Sequence, residues 1–105
     1  TGTVQNISGS YTTLSDITTK SDITPAKSQW DDIKSIEIVN YKHVDFDEKW
    51  LGAVAQQVEE VCPSLVDTDE DGIKSVKQSI MYMKAVKALQ EAMERIEALE
   101  AKVNA

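Results

Sequence analysis

From Ser79 to Asn104 apolar side chains recur at alternating spacings of three and four, and the segment contains neither Gly nor Pro. Val86 and Met93 fall at heptad position a, with Glu100 the next a. Tyr82, Leu89, Ile96 and Val103 fall at d. The pattern predicts one long helix with an apolar stripe along its whole length. About three and a half heptads are short for an isolated helix and suit a bundle of identical helices. The alternative is a single amphipathic helix packed on its own domain. The stripe runs past the reach of a small core, which favours association.

Upstream the pattern is broken into shorter pieces. Thr1 to Leu14 (TGTVQNISGSYTTL) is uncharged and Thr/Ser/Gly-rich, and reads as an extended strand or as the frayed end of a β-rich neighbour. Ser15 to Ile23 is polar and irregular. Thr24 and Pro25 have the chemistry of a helix start, predicting a helix over 25–36 with Trp30, Ile33 and Lys34 near one face. Alternation over 36–46 predicts a strand with an irregularity near Asn40, and 50–55 predicts a second. Gln56 to Val61 has helical spacing and Pro63 stops it. Asp67 to Gly72 reads as a turn before a short strand, 73–76. The fold class expected is α+β: a small domain of short helices and strands followed by a long C-terminal helix forming a trimeric coiled coil. The boundaries expected are 1–14 for the end of an upstream β-rich segment, 15–78 for the small domain and 79–105 for the helix.

Composition narrows the function. The chain has 105 residues, room for one small domain with a modest core. Eighteen acidic residues against eleven basic give a net charge of −7, the wrong sign for nucleic acid or anionic membranes. No apolar run approaches the roughly 20 residues of a membrane span, and no basic-then-apolar leader is read at the start. A lone cysteine, Cys62, excludes an internal disulfide and a zinc cluster. Its apolar neighbours Val58, Val61 and Leu65 predict an inert, buried thiol. No metal and no cofactor are expected.

The charge distribution is more informative than its sum. No Asp, Glu, Lys or Arg occurs before Asp16; all of them follow. At that boundary stands Ser15-Asp16-Ile17-Thr18-Thr19-Lys20, a hydroxyl and an amine five residues apart. Serine is a weak nucleophile until a base takes its proton, and a lysine whose pKa is lowered by burial can be that base. Attack on the Leu14 carbonyl would be intramolecular, where effective molarities reach about 10⁵ M or more. By spacing alone, a solvated loop is the commoner meaning of such a pair. Asp67-Thr68-Asp69-Glu70-Asp71-Gly72 opens like a calcium loop, but Gln78 occupies the twelfth position, where a bidentate Glu is needed; a solvated acidic turn is the better reading. His43, the only histidine, reads as structural, and Trp30 and Trp50 as core anchors.

Four strings occur in order: Ser15-Asp16-x₃-Lys20-x₂-Ile23-x-Pro25; Leu51-Gly52-Ala53-Val54-Ala55-Gln56-Gln57-Val58-Glu59-Glu60-Val61 with Pro63 and Leu65-Val66; Asp71-Gly72-Ile73-Lys74-Ser75-Val76; and Ala85-Val86-Lys87-x-Leu89. Together they resemble the C-terminal intramolecular chaperone auto-processing domain of phage tail fibres and tailspikes. Three positions depart from that pattern: Thr18 stands where Arg is frequent, Gln57 where Glu is common, and Lys77-Gln78 where Asp-Tyr is typical. The resemblance implies a homotrimer that helps the upstream fibre segment of the same polypeptide to fold, then cuts itself free. It implies a single-turnover self-cleaving serine endopeptidase with Ser15 as nucleophile, Lys20 as base and Leu14–Ser15 as the scissile bond. Tyr82, Val86, Leu89, Met93, Ile96 and Val103 would form the oligomer interface. Virion assembly in the cytoplasm of a bacterial host is the setting implied. Two rivals stand beside this expectation: a structural trimerisation module that does not cut, and a small calcium-binding or adaptor module using the acidic turn.

Overall fold

The computed structural model describes residues 4–7, 10–13 and 15–105, the first two stretches as backbone only. The architecture is α+β, with three separate two-stranded antiparallel sheets, three helices and two 3-10 turns among the described residues. β1 (Val4–Ile7) pairs with β2 (Ser10–Thr13), so the uncharged segment contains a hairpin instead of one continuous strand. A 3-10 turn, Ile17–Thr19, follows. Then come α1 (Trp30–Ser35), β3 (Val39–Lys42), β4 (Lys49–Gly52) and α2 (Ala55–Val61). A second 3-10 turn, Pro63–Leu65, leads to β5 (Val66–Thr68), β6 (Lys74–Val76) and α3 (Gln78–Val103).

α3 forms where the heptad pattern requires it. α1 does not start where the sequence suggests: Thr24 caps nothing, Pro25 to Ser28 lie outside any regular element, and the helix begins at Trp30. Its start is fixed from α3. Glu91 accepts a hydrogen bond from the Gln29 N–H at 3.0 Å, satisfying a donor at the helix N-terminus. Lys84 Nζ bridges Gln29 Oε1 at 2.5 Å and Asp32 Oδ2 at 2.9 Å. The Arg95 guanidinium lies 3.6 Å from the Trp30 ring centroid. A cap of tertiary origin overrides the local Thr–Pro signal.

Expected strand 36–46 is shorter as well. Ile36 turns inward to the core, while 43–46 make a turn closed by the Phe46 N–H on the His43 carbonyl. The register of β3 on β4 sets Tyr41 opposite Trp50 and Val39 opposite Gly52. Tyr41 and Trp50 meet edge to face, and Phe46 stacks on Trp50 at 5.7 Å. Trp50 is therefore a hairpin residue, 40% exposed, and not a core anchor. Gly52 lies under the Tyr41 ring, where any Cβ would crowd the Cε1 atom at 3.0 Å.

The enclosed core is small. Ile36, Val58 and Leu65 form it, with Ile33, Ala53, Val61, Cys62, Val66, Val76 and Met81 packed around. Pro63 ends α2 and starts the 3-10 turn that drops Leu65 into the centre, and the Lys77 N–H then bonds the Leu65 carbonyl at 2.8 Å. The Gln57 amide bridges the segment after α1, accepting from the Glu37 N–H and donating to the Ser35 carbonyl. Cys62 is half-buried at this edge of the core. No helix among the described residues is long and apolar enough to cross a membrane.

Candidate functional site

Ser15 and Lys20 flank the first 3-10 turn, and Asp16 builds that turn. Its carboxylate accepts from the Thr18 N–H at 2.8 Å and the Thr18 hydroxyl at 2.9 Å, while its carbonyl accepts from the Thr19 N–H and hydroxyl. These bonds, the Thr18 N–H first, hold the Asp16 carboxyl below its ordinary pKa. The Lys20 N–H closes the turn on the Ile17 carbonyl, which reverses the chain so that Lys20 Nζ donates to Ser15 Oγ at 3.0 Å. The expected hydroxyl–amine pair is thus in contact. Leu14 lies outside the described residues, so the bond expected to be cut has no described geometry on that side.

Both side chains are exposed. An amine takes a proton from a hydroxyl only when it is itself unprotonated, and burial is the ordinary way to reach that state near neutrality. Among the described residues nothing supplies such cover to Lys20. Contact between the two groups and exclusion of water are separate requirements, and only the first is met within one copy.

The second group of expected residues lies on α3. Tyr82, Val86, Leu89, Met93, Ile96 and Val103 are 45–82% exposed. The domain docks elsewhere on the helix, on Met81, Lys84, Ala88, Glu91, Ala92 and Arg95. At about 100° per residue the two stripes are centred roughly 120° apart. Covering one leaves the other open.

The groups that join the domain to α3 have no local signature. Lys84 and Glu91 fall at heptad f, and Arg95 at c, positions that are ordinarily solvated. Only the placement of α1 gives them partners. Burial opposes the charge on Lys84, but its hydrogen bond and proximity to Asp32, with the Cys62 sulfur acting in the same direction, raise its pKa. The Ser28 hydroxyl, the Gln29 N–H and nearby Lys87 and Arg95 lower that of Glu91.

The acidic turn closes the β5–β6 hairpin. Asp69 Oδ1 accepts from the Asp71 and Ile73 N–H groups at 2.9 Å each, and Gly72 takes the left-handed conformation at φ 81°. The Asp69 carboxylate thus organises the turn itself. His43 sits past the end of β3, tilted against Phe46 and Trp50, in a half-exposed aromatic cluster.

The fold defines a small α+β domain clasped to a long amphipathic helix and preceded by a hydroxyl–amine turn. A protein-family model described as chaperone of endosialidase matches residues 15–67, slightly more than half of the chain, starting at Ser15 and ending within β5. The chain belongs to that family, the intramolecular chaperone domains of phage tail fibres. No curated protein matches the chain.

Proposed function

We propose that this chain promotes trimerisation and folding of the phage tail fibre or tailspike segment that precedes it, then releases itself by cutting Leu14–Ser15. The observation that carries the reading is the 3.0 Å contact between Lys20 Nζ and Ser15 Oγ at the first residue of the family match. The exposed a/d stripe of α3 supports the trimer. In this reading the domains divide at 14/15 and 78/79, and the work is done during virion assembly in the bacterial host cytoplasm.

The proposed reaction is intramolecular acyl transfer. Ser15 Oγ attacks the Leu14 carbonyl carbon through a five-membered ring as Lys20 Nζ takes the hydroxyl proton. The C–N bond breaks when the Ser15 nitrogen receives that proton, leaving Leu14 as an ester on Oγ. Water then hydrolyses the ester, which frees the Leu14 carboxylate and returns the Ser15 hydroxyl. Because Lys20 is exposed in one copy, the dry surroundings it needs come from the folded fibre or from neighbouring copies. Cutting therefore waits for assembly.

A second reading, a trimerisation module that does not cut, draws on that same exposure of Lys20. Intact mass of freshly expressed precursor separates the two. Wild type is expected to split after Leu14, whereas Ser15→Ala and Lys20→Ala remain whole. Normal cutting in Lys20→Ala removes the dyad, and an uncut wild-type trimer favours the second reading.

A further inference from the structure

Beside the a/d stripe, α1 and α3 enclose an open apolar groove of 430 Å³. Trp30, Ile33 and Lys34 line it from α1, and Ala85, Ala88, Leu89 and Ala92 line it from α3. Leu89 belongs to both the groove and the heptad stripe, so the two apolar surfaces are continuous. Ala85 and Ala92 occupy heptad g, the flank that a parallel neighbour approaches with its e flank. Small side chains there let a second helix backbone come close.

Charge identifies the visitor. Lys34 is the only charged lining residue, and it has no ion pair among the described residues. The opposite flank of α3 carries Gln90 and Glu97 at e with Glu94 at the adjoining b position. Neither glutamate has an ion pair among the described residues. We infer that the groove seats the Gln90–Glu94–Glu97 flank of α3 from a second copy of this chain, with Lys34 over its carboxylates. Groove and flank are different faces of one helix, so the contact is head to tail and closes into a ring when three copies meet. α1 is then an outer wall of the assembly, and the interface extends beyond the a/d seam. The inference rests on the trimer proposed above.

The test uses the uncut Ser15→Ala precursor with Cys62→Ser, so that added cysteines stand alone. Lys34→Cys is combined with Glu94→Cys or with Glu97→Cys, and the protein is oxidised and run under denaturing conditions. A covalent trimer is expected from at least one pair, since each copy joins the next around the ring. Separately, Lys34→Glu is expected to weaken association at least about fivefold in sedimentation, with recovery when Glu94→Lys and Glu97→Lys are added. A trimer that cross-links in neither pair and ignores Lys34→Glu overturns the groove contact while leaving the a/d seam intact. A monomeric precursor overturns both.

Discussion

The double substitution Leu89→Asp, Ile96→Asp tests whether the exposed seam of α3 holds the copies together. Leu89 is 60% and Ile96 55% exposed in one chain. Fully burying such a side chain contributes roughly 1.5–3 kcal/mol, so covering the exposed part contributes about 1–2 kcal/mol each. That is roughly 2–4 kcal/mol per chain and 6–12 kcal/mol over three chains. Each of two docking steps costs at least about 4 kcal/mol in lost freedom, roughly 8 kcal/mol in all. The two positions therefore supply a term as large as the whole cost, and aspartates there add desolvation of six carboxylates. The core of Ile36, Val58 and Leu65 is untouched, so the monomer should keep its helix content by circular dichroism. Sedimentation velocity of the uncut Ser15→Ala precursor should show trimer, and the double mutant should show monomer. A persistent trimer in the mutant refutes the seam.

Cleavage should depend on assembly, because Lys20 lacks cover in one copy: dilute precursor with an unfolded fibre should cut far more slowly than folded trimer, and equal rates would break the coupling. Leu65→Ala, at a fully enclosed position in a core this small, should cost about 2–5 kcal/mol in urea unfolding of the isolated domain, and a loss below about 1 kcal/mol would show that Leu65 is not its centre. Asp16 has a folded pKa depressed below its ordinary value of 3.8, so its hold on the Thr18 N–H is present above that value and is lost as pH falls through the lower folded pKa. The Thr18 amide shift should thus titrate with a midpoint below 3.8, and a midpoint at or above it would remove the capping bond.

Local patterns in the chain were enough to predict α3 within one residue at each end, because twenty-six residues without Gly or Pro and with a steady heptad leave little else to form. The Pro63 stop is equally local and is observed; the expected 67–72 turn is observed only past Thr68, because Asp67 and Thr68 pair in β5. α1 departs from its local signal for the opposite reason. Thr24–Pro25 is a sound start signal, but the bonds that begin the helix come from Glu91 and Lys84, more than fifty residues away. Trp50 departs from its expected core role in the same way: it pairs with Tyr41 across a hairpin on the surface, and only the register decides that. At the site, spacing foretold that Lys20 could reach Ser15, since a turn of this length is set by its own residues. Its exposure was not legible, because what covers a lysine is a property of surfaces distant in sequence.

Between the closing bond of the first 3-10 turn at Lys20 and the α3 anchor at Gln29 lie nine residue steps with no regular element. Fully extended, such a stretch spans about 30 Å. In the proposed reaction the scissile bond can therefore stand as far from the clasp as α3 itself is long, roughly 39 Å at most when the turn is added. In that reaction the domain need not abut the proposed scissile bond. In that reading a stretch of nine residue steps is long enough to place the Ser15–Lys20 turn at a fibre end well away from the clasp.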